Sequence, residues 1–408
     1  MRAKIITIGD EILVGQTVDT NSAYIAKKLN SIGVKISEII SITDTKSHII
    51  NSVDKAINDH DFIILTGGLG PTNDDITKNA LVDYFDDELI EHPEILAKIK
   101  GFFERFNKPF LDVNELQAML PKQARIIEND LGTASGMWFK KGKANILSLP
   151  GVPFEMKGLI NKFIDLIKVD YEIGNFYHKT TLVAGIGESY FAEMIEDWES
   201  QNRIDGIGVA YLPSVGSLKL RLTGTLLQKA IIDERIKFIE DKFPKYIVGS
   251  DINSLEEKIG LLLLSKKAVL GTVESCTAGG LANKIVSIPG SSAYYSGSIV
   301  SYSDAIKQSI VGVLPETLKQ HGAVSEETVI EMAKNGRTKL NVDYCISISG
   351  VAGPDGGTEE KPVGTVWIAI ATPDQVLTKK FNFGYNRARN IQSTIMAALN
   401  FLRLTLMT

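Results

Sequence analysis

The sequence predicts an α/β chain of three domains, and three observations carry that expectation. Short apolar runs alternate with amphipathic helical stretches over residues 1–170. A smaller α+β region, 171–249, mixes a strand, a hairpin and two charged helices, and the alternation resumes over 250–408. Strand and helix in this rhythm build a parallel sheet covered by helices. At about 150 residues per domain, 408 residues leave room for two to three cores.

Taken in order, AKIITIG reads as the first strand and NSAYIAKKLNSIG as a helix, with Tyr24, Ile25, Leu29 and Ile32 at helical spacing and Gly33 as its stop. VKISEIISI is the second strand, SHIINSVDKAIND the second helix, and DFIILTGG a third strand ending in glycine. ANILSLPG is a further strand that breaks at Pro150 and Gly151 before the helix EMKGLINKFIDLI. In the middle region YHKTTLVAG is a strand, ESYFAEMIEDWES a helix, VAYLPSVGSLKLRLTG a hairpin and KAIIDERIKFIEDKF a charged helix. Gly249, Ser250 and Asn253 mark a linker. Beyond it LEEKIGLLLLSKK is a helix, AVLGTVE a strand, and SCTAGG opens the helix LANKIVSI. SGSIVSYS, DYCISISG and GTVWIAIAT read as strands, AIKQSIVGV and EETVIEMAKNGRTKL as helices, and NRARNIQSTIMAALNFLRLTL as a long amphipathic helix.

Composition narrows the function class. With 44 Lys+Arg against 49 Asp+Glu, the net charge of −5 argues against a protein that coats nucleic acid or an anionic membrane. Cys276 and Cys345 form no CxxC pair, so neither a zinc site nor a disulfide framework is expected. IGLLLL is too short to span a bilayer, and MRAKIITIGDEIL reads as a first strand of a cytoplasmic protein, not a signal peptide.

ILTGGLGPTNDDITKNAL places Gly67, Gly68 and Gly70 after a strand and before a helix, where backbone N–H groups attract phosphate oxygens. It is no Walker loop, and it lacks the third glycine of a dinucleotide fingerprint. Asp74 and Asp75 suit either a divalent cation held against a phosphate or a helix cap. GDEILVG puts Asp10 and Glu11 after the first strand and PGVPFEM follows another, so three loops converge at the carboxyl edge of a parallel sheet.

GDEILVGQTVDTNSAYIAKKL, TGGLGPTNDDIT and LPGVPFEM together resemble the N-terminal domain of the CinA family (competence/damage-inducible protein), related to molybdopterin-binding domains. The resemblance implies a nucleotide or pterin site and a metal-dependent ADP-ribose pyrophosphatase. Asp74 and Asp75 would then hold a divalent metal, Mg or similar, with Asp10, Glu11, Gly67, Gly68 and Gly70 at the substrate. A non-hydrolytic pterin- or nucleotide-binding or partner-recruiting module is the alternative for this domain.

In the third region VESCTAGG supplies a sharp strand-to-helix turn that exposes Ser275, Cys276 or Thr277 beside backbone donors able to form an oxyanion hole. A serine or threonine there more often caps a helix than attacks a substrate. A serine nucleophile needs a base, and His321 in KQHGAVSEE looks like a surface turn. Lysine kept neutral is the recognised alternative. Lys307 in SYSDAIKQSI would sit in the first turn of a helix capped by Ser303 or Asp304, where the dipole and partial burial disfavour an ammonium; position alone favours a solvated helix-surface lysine. SGVAGPDGGTEEKPVGT, with Gly350, Gly353, Gly356 and Gly357, reads as a ligand-cradling loop suited to phosphate.

TVESCTAGGLA, GSIVSYSDAIK, GAVSEETV and SGVAGPDGGTEEKPVGTV resemble the nicotinamide mononucleotide deamidase domain at the C-terminus of CinA proteins. The resemblance implies Ser275 as nucleophile, Lys307 as general base and Tyr302 assisting, with Thr277, Gly279, Gly353, Gly356, Gly357 and Arg387 at the substrate and no cofactor. The reaction implied is hydrolysis of the carboxamide to nicotinic acid mononucleotide and ammonia through an acyl-enzyme. The sequence departs from the family at two places: Ala278 stands where the family has the first glycine of SCTGG, and where the family often has two arginines a helical turn apart NRARNIQ offers Arg387 and Arg389, with Ile391 where the second would fall.

The resemblance also makes the middle region KH-like. It contains no GXXG loop, so a spacer or dimerisation unit is expected instead of nucleic-acid binding. Gly185 and Gly187 are half of a GxGxxG whose third position is Tyr190, a tight turn, and Phe191 and Trp198 read as core. The expected partners are small nucleotides, nicotinamide mononucleotide and ADP-ribose, with a second copy of the chain in a homodimer.

Overall fold

The computed structural model describes residues 1–72, 75–171, 176–384 and 386–407. They form two compact units, Met1–Phe176 and Tyr177–Thr408. In the first, the apolar runs assemble a six-stranded sheet in the order Lys35–Ile42, Arg2–Ile8, Phe62–Thr66, Ala144–Leu149, Gly136–Lys141, Arg125–Ile127. The first four strands are parallel. Gly136–Lys141 runs antiparallel to both its neighbours, a departure from an all-parallel sheet: Gly142, at φ +59°, turns the chain so that Lys141 pairs with Ala144.

Phe62–Thr66 and Ala144–Leu149 are buried along their whole length, as central strands covered on both faces must be. Alternate side chains feed two cores: Ile63, Leu65 and Ile146 on one face, Phe62, Ile64 and Leu147 on the other. The loops that leave Ile8, Thr66 and Leu149 therefore emerge side by side at one edge.

The second unit contains two sheets. One is four-stranded, in the order Gly208–Ser214, Ser217–Thr225, Phe176–Ala184, Ile247–Ser250. Leu218, Leu220 and Leu222 alternate inward from Ser217–Thr225 against Ile232, Ile236 and Ile239 of the helix Lys229–Lys242. Phe191 is buried in the same core and the Trp198 indole donates to the Arg235 carbonyl, so both aromatics serve packing.

The other sheet is five-stranded, in the order Tyr295–Val300, Leu270–Glu274, Tyr344–Gly350, Thr365–Ala371, Val376–Asn382. Its first three strands are parallel and its last two antiparallel. The helix Arg387–Met407 packs Ala398, Leu399, Leu402 and Leu406 with Leu255, Ile259 and Leu263 of the helix Leu255–Lys266. Arg403, fully buried, donates to the carbonyls of Lys245 and Ile247 and so ties this helix to the four-stranded sheet. Among the described residues no helix is long and apolar enough to cross a membrane.

Candidate functional site

The strand Leu270–Glu274 ends at the carboxyl edge of the five-stranded sheet, and the chain turns through Ser275–Gly279 into the helix Gly280–Val286. The Ser275 N–H donates to the Ile348 carbonyl, which fixes the first residue of the turn to the neighbouring strand. Ala278 lies at φ +50°, in the left-handed region, where a glycine would carry no strain and an alanine costs about 1 kcal/mol.

What holds this turn is Glu274, which the sequence reading passes over. Its carboxylate is fully buried and accepts from Thr277 Oγ1 at 2.7 Å and from the backbone N–H groups of Gly279, Leu281 and Ala282 at 3.0, 3.0 and 2.9 Å. A carboxylate with several N–H donors at a helix start is strongly satisfied. The available signal was an acidic residue ending an otherwise apolar strand immediately before SCT. Thr277 and Gly279, expected at the substrate, both bond to Glu274 and shape the turn.

Lys307 is brought to the serine from the far side. Ser303 caps a short helical turn, Asp304–Ile306, accepting from the Ile306 N–H, and the backbone continues as a π-turn over Lys307–Val311. π-turns of this kind recur at functional sites, and here the side chain points inward and is only 1% exposed. Its Nζ stands 3.2 Å from Ser275 Oγ and 3.1 Å from the Tyr302 carbonyl oxygen. Burial pushes the Lys307 pKa below its ordinary value, while Asp304, 3.6 Å away, pulls in the opposite direction. Burial pushes the neighbouring Cys276 thiol up to about 12, which keeps it protonated.

Arg387 and Tyr302 form the outer wall. Arg387 Nη2 donates to the Tyr302 hydroxyl at 3.2 Å and Nη1 to the Gly353 carbonyl at 2.7 Å, linking the long helix to the glycine-rich loop. Asn390, one turn on, donates to the Ala352 carbonyl. Gly353 has φ +90° and would bring a Cβ against Val363, so glycine there answers to the loop's own packing. Gly356 shares a positive φ, and Gly357 packs against the Val363 backbone. Arg389 points elsewhere: it lines a cavity of about 540 Å³ with Phe381, Phe383 and Asn400, and that cavity includes neither Ser275 nor Lys307.

The first unit carries a second cleft, of about 370 Å³, at the carboxyl edge of its sheet. Gly67, Gly68 and Gly70 line it together with Glu11, Asp44, Asp75, Gln117 and Glu155. Gly67 lies at φ +117°, and a Cβ there would collide with the Ile8 carbonyl oxygen. Asn21 Nδ2 donates to Thr66 Oγ1 and to the Gly151 carbonyl, tying two of the loops together. Asp10 is exposed and its backbone N–H bonds to Asp44; of the acidic pair it is Glu11 that lines the cleft.

Asp75 Oδ2 accepts from the Thr72 N–H and hydroxyl, so it stabilises the loop, and Ile76 takes the cap position of the helix Thr77–Phe85. Asp74 lies outside the described residues. Among the described residues no group of three or more His, Cys, Asp or Glu could hold a metal ion. A donor set of this kind fits a hard cation only where phosphate oxygens complete the shell, which is how magnesium is commonly held. Glu155 and Gln117 are absent from the sequence expectations. Glu155, in the first turn of the helix Pro153–Asp170, bonds Asn129 Nδ2 at 2.6 Å, and burial pushes its carboxyl pKa up.

Two family models match the chain: the probable molybdopterin binding domain over residues 4–169 and the CinA C-terminal domain over residues 252–406. A CinA-like protein of Cytophaga hutchinsonii is 43% identical over 98% of this chain and 97% of its own length. A CinA-like protein of Flavobacterium psychrophilum is 42% identical over 98% of both. Among solved structures, a CinA superfamily protein from Klebsiella pneumoniae is 34% identical, covering 38% of this chain and 96% of its own, with a TM-score of 0.37.

Proposed function

The chain belongs to the CinA family, and from that premise we propose that its C-terminal domain hydrolyses the carboxamide of nicotinamide mononucleotide by a Ser–Lys mechanism. The observation that carries the reading is the approach of Lys307 Nζ to within 3.2 Å of Ser275 Oγ from a buried position that favours the neutral amine. A neutral amine accepts the serine proton as Oγ attacks the carboxamide carbon. The tetrahedral oxyanion then needs donors. The N–H groups of Ser275, Ala278, Gly279, Gly280, Leu281 and Ala282 are engaged within the turn or with the sheet, which supports those of Cys276 and Thr277 in the role.

Collapse of the intermediate breaks the carbon–nitrogen bond, the lysine returns its proton to the departing nitrogen, and ammonia leaves an ester on Ser275. Water hydrolyses that ester with the same lysine as base, giving the carboxylate. Arg387, exposed beside Tyr302 and the glycine-rich loop, supplies the cation for the substrate phosphate. Ammonia release from nicotinamide mononucleotide by the wild-type chain, lost in Ser275→Ala, tests the reading.

For the N-terminal domain we propose ADP-ribose hydrolysis to AMP and ribose 5-phosphate, supported by the glycine-lined cleft and the carboxylates around it. Asp75 and Asp74 would hold the divalent cation against the substrate phosphates. When bound, the cation polarises a phosphoryl oxygen. The Gly67–Gly70 loop receives the phosphates on its backbone, and its glycines let the loop pack closely against Ile8, Thr77 and Asp75. The competing reading, a binding module that leaves pterin or nucleotide intact, is favoured by the use of Asp75 Oδ2 within its own loop. AMP release with and without chelator separates the two. A cytoplasmic homodimer completes the proposal.

A further inference from the structure

Gln117 sits in the short turn Leu116–Ala118 and lines the cleft of the first unit while only 5% exposed. Its Oε1 is buried and has no hydrogen-bond partner among the described residues. Buried amide oxygens in folded proteins are almost always satisfied, and an exception in a cleft marks a place where a ligand donor belongs. The surroundings say which part of a ligand that is. Asp75 lies against Gly70 of the glycine loop, where with a cation it would meet the phosphates, and Glu11, Asp44 and Glu155 add carboxylates to the lining, so away from that loop the cleft disfavours a second anion. Glu155, which accepts from Asn129, is a further carboxylate in the lining of the same cleft. The unpartnered Gln117 oxygen calls for an N–H group on the ligand.

We infer that Gln117 is a specificity-determining residue of this cleft, accepting an N–H from the exocyclic amine of a heteroaromatic ring such as adenine. The inference rests on the nucleotide reading of the N-terminal domain. An amide presents an acceptor beside a donor, the complement of adenine's amino group and neighbouring ring nitrogen. A site built to bond an amino group rejects an analogue that lacks it, because the site's buried polar atom is then left unpaired.

The test is calorimetric binding of AMP and of purine riboside 5′-monophosphate, which differs only by lacking the amino group, to the full-length wild type and to Gln117→Leu, with melting of each unliganded protein. The expected result is at least about tenfold tighter binding of AMP by the wild type, a ratio that falls to near one in Gln117→Leu. The unliganded variant melts no lower than the wild type, because a leucine of similar volume removes an unpaired oxygen. Equal affinity of the wild type for both probes, an unchanged ratio in Gln117→Leu, or a lower melting temperature that assigns the amide to the fold would each overturn the inference alone. Binding of neither probe by the wild type overturns the nucleotide reading and the inference with it.

Discussion

Lys307 Nζ lies 3.2 Å from Ser275 Oγ although 32 residues separate them in the chain, one at a strand end and the other on a π-turn. The first prediction concerns the nucleophile. Ser275→Ala lowers ammonia release by about a thousandfold or more, while Cys276→Ala retains turnover, because a thiol held near 12 supplies no thiolate at neutral pH. A coupled ammonia assay on the purified variants reads both.

Lys307 gives a pH dependence with a definite sign. Activity requires the neutral amine, so the rate climbs with pH through a pKa set below the ordinary lysine value of about 10.4, producing an acid limb in the profile. The unfolded chain binds the proton more tightly than the fold, so this group's contribution to stability rises with pH from the folded pKa up to the unfolded one. Lys307→Met should therefore abolish turnover and melt at or above the wild-type temperature at pH 7. A sharply lower melting point would contradict a buried, destabilised amine.

Glu274→Gln replaces either Oε2, which accepts from Thr277, Gly279 and Leu281, or Oε1, which accepts from Ala282, with an amide donor facing donors. The cost is about 2–3 kcal/mol of stability, measurable by denaturant unfolding. Turnover falls with the distorted turn, while KM changes little because Glu274 is sealed from the surface.

Arg387→Ala removes the contacts to Tyr302 and Gly353 at the rim of the site. The expected outcome is a rise in KM of about tenfold or more with a smaller loss in kcat. Arg389→Ala, which alters the other cavity, leaves both constants near wild type.

Much of this architecture was legible because strands and helices carry strong periodicities. The runs around Ile6, Ile64 and Leu147 announce buried parallel strands, and the glycine-rich ends of those strands announce ligand loops. The turn itself was legible, but it left Ser275, Cys276 and Thr277 open, and the choice of Ser275 came from the resemblance. Lys307 was not legible from position, since a lysine in a first helical turn normally faces water; the π-turn that carries it inward has no one-residue signature. Glu274 and Gln117 escaped for a related reason. Their roles depend on burial and on what surrounds their oxygens, which arise only when distant segments meet. The antiparallel strand Gly136–Lys141 turns into its neighbour at Gly142, a signal too local to outweigh the parallel rhythm before it.

The central claim is that Ser275, activated by Lys307, takes up the substrate's acyl group. The most direct measurement is rapid quenching of wild-type protein with nicotinamide mononucleotide, followed by peptide mass spectrometry. The predicted result is an adduct equal to the substrate less ammonia on the peptide containing Ser275, absent from Ser275→Ala together with ammonia release. Ammonia release that persists in Ser275→Ala, with no adduct on that peptide in the wild type, would contradict the account.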